Sequence, residues 1–375
     1  MTDYDWTLFR SKFPALEGRC YLNTAGGGVM SRQVAASGIQ YFNESVQDGD
    51  INWNRWLDRS ETDRGDVATF VGASKAATSF LQNASLGLNI VARSLPASSH
   101  ILAIRPEFPS CTTPFIRAGH AVSFVETAPP GYVDASMVSS ALESGSYDLF
   151  VLSSVQFANG FRADLESIGK TCRSHGTLFV VDATQSIGAF GIDLERDHID
   201  ALVFSGYKWA TAGYGNAVLA TGGAWPSGIP PLVGWRSAKQ AYDLENDRLD
   251  MVPSGIGHEM GHPPFPGIFA MGEALRLLSE PPKGAISKRI CSLSSYLREG
   301  LAEWGIESRS DQTPEHTSGI TLALLEDAGA VKNYLQERNI WVTARHGGLR
   351  ISVHAYNSTE DLDWLLRELG NLRST

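Results

Sequence analysis

Ala201-Leu-Val-Phe-Ser-Gly-Tyr-Lys-Trp209 sets the architecture of this chain. From Ala201 to Phe204 it is apolar without a break, as a strand buried on both faces of a parallel sheet must be. It then leads through Ser205 to Lys208 and a glycine-rich turn, Ala212-Gly-Tyr-Gly215. Comparable runs occupy His100–Arg105, Ala121–Glu126, Asp148–Ser154, Thr177–Asp182 and Asn216–Ala220. Polar or amphipathic segments separate several of them, the rhythm of parallel strands joined by crossover helices. The clearest helix has Leu165, Ile168 and Cys172 at helical spacing, with Asp164 as N-cap and Gly176 as stop. The pattern predicts a continuous α/β unit over about residues 100–221.

Residues 222–268 change character. Pro226, Pro230, Pro231, Pro253, Pro263, Pro264 and Pro266 interrupt a stretch with no sustained periodicity, which predicts loops. Helical patterning resumes over 269–303, followed by strands at Gly319–Leu325 and Leu349–His354 and an amphipathic helix at Thr359–Leu372. The expected division is an N-terminal segment, 1–20, packing with the small domain, a large domain, 21–268, and a small α+β domain, 269–375.

Composition narrows the function classes. With 375 residues, 43% hydrophobic and 19% charged, the chain can bury a large core. A net charge of -10 argues against a broad basic surface for nucleic acid. The start, Met-Thr-Asp-Tyr-Asp-Trp, is polar and acidic, and no apolar run reaches membrane-spanning length. A soluble, cytoplasmic protein with neither nucleic-acid nor membrane partner is expected. Cys20, Cys111, Cys172 and Cys291 lack metal-ligand or redox spacing and read as reduced thiols.

A lysine just past a strand is ordinarily solvated, but burial penalises its charge and favours pairing or covalent use. The segment Leu178-Phe-Val-Val-Asp-Ala-Thr-Gln-Ser186 supplies a second chemical group, since Asp182 ends another apolar strand at the edge where α/β sheets bind ligands. Pyridoxal 5'-phosphate (PLP) needs a Schiff-base lysine and an acid that keeps its pyridine nitrogen protonated, and Lys208 and Asp182 suit these two roles. Thr184 shares the face of Asp182 and packs on the ring, while Gln185 reaches towards the ring hydroxyl or the Schiff base. In Asn83-Ala-Ser-Leu-Gly-Leu-Asn89, a polar loop opens a helix whose first amides, Ala84 and Ser85, suit the cofactor phosphate.

Together these motifs resemble fold-type I PLP enzymes, and within them the class V aminotransferase family with its cysteine-desulfurase-like branch. The resemblance spans nearly the whole chain. It implies a large domain with a mostly parallel seven-stranded sheet and a smaller α+β C-terminal domain. Tyr21-Leu-Asn-Thr-Ala25 resembles the family's N-terminal active-site segment, placing Asn23 near the substrate. Phe108, in Glu107-Phe-Pro-Ser110, matches the aromatic that stacks on the cofactor ring. Gln156 matches the polar side chain near the ring oxygen, and Ser205 and Tyr207 match phosphate ligands. The segment Arg350-Ile-Ser-Val-His-Ala-Tyr-Asn357 resembles the family's arginine motif, making Arg350 the partner of the substrate α-carboxylate.

Two departures stand out. Residues 342–349 hold no cysteine, whereas desulfurases carry a nucleophilic one in a longer loop there. His262, in Glu259-Met-Gly-His-Pro263, stands where relatives have a threonine that reaches the phosphate of the adjoining subunit; the resemblance still implies a homodimer with a shared site. His258-Glu-Met-Gly-His262 also spells the metalloprotease string, but Gly255, Gly257, Gly261, Pro263 and Pro264 deny it the helix that string requires, so no metal is expected.

The expected reaction begins when an amino acid displaces Lys208 from the imine; Lys208 then removes the α-proton, passing through an external aldimine and a quinonoid. Elimination, transamination and epimerisation all branch from there. The missing cysteine tilts the expectation towards a lyase, on a sulfur-containing amino acid, with transamination next. Trp209, Arg345 and His346, with Trp235 and Arg236, are further candidates for a pocket that suits a polar or acidic side chain. A non-catalytic PLP-binding module is the reading from another class, weakened by the absence of an appended DNA-binding segment.

Overall fold

The computed structural model describes residues 4–127, 131–226, 228–247, 249–310 and 313–373. Met1-Thr-Asp3, the polar start assigned to the N-terminal segment, lies outside them. Among the described residues the strands form sheets of seven, three and two. In chain order they are β1 (Cys20–Tyr21), β2 (Thr78–Leu81), β3 (His100–Arg105), β4 (Ala121–Glu126), β5 (Leu149–Ser153), β6 (Leu178–Asp182), β7 (Ala201–Ser205), β8 (Ala217–Thr221), β9 (Ile320–Leu324), β10 (Ile340–Trp341), β11 (Thr343–Arg345) and β12 (Gly348–Ser352).

The large sheet has the order β2-β8-β7-β6-β5-β3-β4. Neighbours from β7 to β4 pair in parallel, and β8 runs antiparallel to both β7 and β2. Consecutive residues of a strand point to opposite faces, and the core divides accordingly. Leu102, Ile104, Phe150, Leu152, Phe179, Val181, Leu202 and Phe204 belong to one buried cluster. Ile101, Ala103, Leu149, Val151, Val180, Ala201 and Val203 belong to another. Both faces are therefore covered, which is why these strands are continuously apolar rather than alternating.

The helix predicted after Asp164 spans Leu165–Ser174; the Asp164 side chain accepts from the Ser167 amide, and Gly176 follows at a φ of 69°. Two long helices, Arg32–Asp48 and Trp53–Phe70, pack against Phe265–Ser279. That last helix begins four residues before the expected 269, because proline fits the first turn, where its missing N–H would be unpaired anyway. The patterning over 269–303 divides at Pro281-Pro282 into Phe265–Ser279 and Ala285–Glu303. No helix among the described residues is long and apolar enough to cross a membrane.

The C-terminal three-stranded sheet, of order β11-β12-β9, is antiparallel throughout. The start of the chain closes onto this part of the molecule. Strand β1 pairs in parallel with β10, Asn23 bridges Ser352, and Arg10 forms an ion pair with Asp361 at 2.7 Å. The sequence that opens the molecule is thereby brought beside the strand that carries Arg350.

Candidate active site

Strands β2, β3, β5, β6 and β7 all run in one direction, so their C-terminal ends share one edge of the sheet. Asp182 closes β6, and Asn83, Glu107, Phe108, Gln156 and Lys208 come from the segments that follow the other ends. Ser153 lies opposite Asp182, and Asp182 opposite Val203, in the parallel register.

Lys208 is buried, and no hydrogen-bond acceptor reaches its amine among the described residues. Burial lowers its pKa to about 8; the charge of Asp182 opposes that shift, and Arg350 and Arg345 reinforce it. The amine stands 5.8 Å from the centre of the Phe108 ring and 5.4 Å from that of Tyr207. The backbone around it is pinned by the N-terminal segment: the Gly28 amide donates to the Tyr207 carbonyl at 2.8 Å. A Cβ on Gly28 would lie 2.1 Å from the Lys208 carbonyl oxygen, so only glycine permits this approach.

Asp182 is buried; its Oδ1 accepts from the Thr184 amide at 2.8 Å, while its Oδ2 is approached by the Cys111 thiol at 3.8 Å. Thr184 uses its hydroxyl to accept from the Ser205 amide at 3.1 Å, locking the ends of β6 and β7 together. The Ser205 hydroxyl in turn accepts from the Ala84 amide at 2.9 Å. Asn83 caps the helix Ala84–Ser94 by accepting from the Leu86 amide, and the Ser85 hydroxyl contacts that of Ser110 at 2.9 Å. The Ala84 amide is thus engaged within the chain, whereas Ser85 remains exposed at the helix start.

Glu107 had no assigned role in the sequence. Its carboxylate accepts from the Phe108 amide and from both the amide and hydroxyl of Ser153, at 2.6 to 2.8 Å, and from Gln156 at 3.2 Å. Burial pushes this carboxyl above its usual range, against the pull of those hydrogen bonds. The position of Phe108 and the end of β5 therefore depend on Glu107. Its place immediately before Phe108 was the available signal.

Arg350, buried at the second position after Gly348 in β12, donates from Nη1 to the Phe157 carbonyl at 2.9 Å, and its Nε has no partner. Burial, reinforced by Arg345, lowers its pKa to about 10. The loop before Arg350 is a two-residue turn, His346-Gly347, with both residues at positive φ (53° and 74°), as a tight hairpin requires. Asn23 accepts from the Thr343 hydroxyl at 2.5 Å on the same hairpin. His346 lies 5.2 Å from the Phe157 ring, which lies 5.4 Å from the Phe108 ring.

Two expectations need correction. Gln185 does not extend towards a ligand: its Nε2 donates to the Ala25 carbonyl at 3.2 Å and its Oε1 accepts from the Trp209 indole at 2.8 Å. Trp209 is fully buried against Gly319 and His354, so it lines the core and not a pocket. His262 makes its ring contacts with Trp53 and Trp235, in an open groove also lined by Tyr41, Trp56 and Tyr242, away from the Lys208 residues. The string from His258 to His262 is no α-helix: a 3-10 turn ends at His258, and Glu259 is drawn inward to pair with Arg64 and accept from the Phe80 amide. Arg236 is buried near Glu259, and Trp235 joins the groove.

The donor set fits PLP. A buried amine without an acceptor, a carboxylate with one oxygen left to a thiol contact, a ring facing the amine and a helix start with Ser85 at the same sheet edge match the groups the cofactor needs.

The class-V aminotransferase family model matches residues 20–365. An uncharacterized aminotransferase, YcbU, of Bacillus subtilis (strain 168) is 22% identical over 367 residues, covering 96% of each chain. A probable cysteine desulfurase of Pyrococcus abyssi is 26% identical over 336 residues, covering 83% of this chain and 82% of its own. Among solved structures, the cystine C-S lyase C-DES superposes with a TM-score of 0.87 at 21% identity, covering 96% of this chain and 99% of its own. That lyase has been solved with its product, cysteine persulfide, and as a variant with glycine covalently linked to its PLP cofactor.

Proposed function

The chain is a PLP-dependent enzyme of the class-V aminotransferase family, and we propose that it acts on an α-amino acid as a lyase that eliminates a β-substituent, a C-S bond being the favoured one to break. The observation that carries this reading is the convergence of Lys208, Asp182 and Arg350 beside a hairpin turn that contains no cysteine. Both a probable cysteine desulfurase and a C-S lyase are among its relatives. A route through a protein-bound persulfide needs an accessible thiol, yet Cys20, Cys111 and Cys172 are buried and burial raises every thiol in the chain above its ordinary pKa.

PLP supplies an electrophilic imine carbon and a sink for the electrons left when a bond to the α-carbon breaks. Arg350 pairs with the α-carboxylate, its free Nε and remaining Nη donors matching a carboxylate fork. Lys208 would hold the cofactor and supply the base for the α-proton; burial lowers its amine to about 8, which suits a group that exchanges protons near neutrality. Asp182 would hold the proton on the ring nitrogen, Phe108 would pack against the ring, and Ser85 and Tyr207 would hold the phosphate.

The reading includes a homodimer. The groove around His262 is aromatic, and Phe42, Val46, Ile51 and Leu244 expose large apolar side chains. A second copy of this chain covering that face would bring His262 to a shared site.

Transamination is the second reading, favoured by the full-length match to a protein named an aminotransferase. The purified holoenzyme, offered amino acids with and without a leaving group on Cβ, decides between them. Formation of 2-oxo acid without an amino acceptor supports elimination; strict dependence on an added 2-oxo acid supports transamination and overturns the lyase assignment.

A further inference from the structure

The hairpin that carries Arg350 presents a second guanidinium on the same face. Thr343 stands opposite Arg350 in the β11–β12 register, and Arg345 opposite Gly348. Directly opposed residues project to one side of a sheet, as do residues two apart along a strand, so Arg345, Thr343 and Arg350 share a face. The two-residue turn at His346-Gly347 fixes that register and holds Arg345 close to Arg350. This is the side that meets Asn23 through Thr343 and Phe157 through Arg350.

Neither arginine has a carboxylate partner among the described residues. Arg350 donates to a carbonyl and leaves Nε buried and unpaired, and Arg345 is exposed with no ion pair. The charge of Arg345 reaches Arg350, Tyr207 and Lys208. Cations gathered in this way, one of them buried, repel one another unless a ligand brings anions to them. One α-carboxylate answers Arg350; a second anionic group is needed to answer Arg345.

Resting on the reading of this site as one for an α-amino acid, we infer that the substrate is an amino acid whose side chain ends in an anion, a carboxylate or comparable oxyanion. Arg350 takes the α-carboxylate and Arg345 the side-chain group. His346, in the turn between the two strands, packs edge-on against the Phe157 ring.

Calorimetric titration of the holoenzyme with succinate and glutarate, each against the monocarboxylate of equal length, reads this without turnover. The expected result is about tenfold tighter binding of at least one dicarboxylate. In Arg345→Gln that ratio falls towards one while the melting temperature is unchanged, as an exposed side chain allows. Equal affinities in the wild type, or an unchanged ratio in the variant, overturn the inference. If instead no amino acid is converted while the dicarboxylate ratio and its dependence on Arg345 hold, the assignment of reaction has failed and the two-anion site stands.

Discussion

The Trp209 indole, one residue beyond Lys208, donates to the Gln185 side-chain oxygen at 2.8 Å, joining the segment after β7 to the segment after β6. Gln185 passes the connection on to the Ala25 carbonyl. The lysine is thus placed by a buried, hydrogen-bonded pair. Replacing Gln185 with leucine leaves the indole N–H unpaired in the core, at a cost of about 1–3 kcal/mol. Denaturant unfolding checks this, with a lowered midpoint expected for Gln185→Leu and for Trp209→Phe.

Burial lowers Lys208 to about 8, which sets a pH signature. In cofactor-free protein, competitive amine labelling should half-label Lys208 near pH 8, well below the ordinary lysines. Removing the charge of Asp182 by Asp182→Asn moves that midpoint down, and Arg345→Gln moves it up. The linkage has a fixed sign: a base lowered in the folded state binds fewer protons than in the unfolded chain. Its contribution to stability therefore increases as pH rises from about 8 towards the ordinary lysine range.

Arg350 is buried with an unpaired Nε, so its replacement is felt in substrate binding. Arg350→Ala should lower kcat/KM by roughly a hundredfold, corresponding to about 3 kcal/mol for a desolvated charge pair. Arg350→Lys should recover little, because a point charge does not reproduce the planar fork. Steady-state kinetics on both variants gives the comparison.

Asp182→Asn retains shape but removes the charge that, on the proposed reading, would keep the ring nitrogen protonated. We expect cofactor binding to persist, seen in the absorption spectrum, with kcat reduced roughly a hundred- to a thousandfold.

Much of this was legible along the chain, for physical reasons that differ by element. Strands β3 and β7 begin and end where their apolar runs do, because burial on both faces leaves no polar alternation to blur them; β4 also matches its run, although as the edge strand it is only partly buried. Strand β2 is only Thr78–Leu81, too short to declare a period, and is held by antiparallel pairing to β8. The helices Arg32–Asp48 and Trp53–Phe70 are not legible in the sequence. Their buried residues, such as Val34, Ser37 and Gly38 in one and Trp56, Ser60 and Asp63 in the other, include polar and small groups that do not announce a face.

The site divides in the same way. Asp182 stands out because a charged residue ends an apolar run, and Lys208 because it follows one closely, past Ser205. Gln185 and Trp209 have the right types at the right distance from those strands, but their partners are each other and Ala25, a tertiary fact that spacing does not encode. The role of Glu107 does not show in the sequence because its hydrogen bonds run to Ser153 and Gln156, which the fold brings over from β5 and the turn beyond it.

Reduction of the holoenzyme with borohydride, followed by peptide mass mapping, tests the central assignment most directly. The account predicts a pyridoxyl-phosphate adduct on Lys208, absent from Lys208→Ala. An adduct on another lysine in the wild-type protein would contradict it.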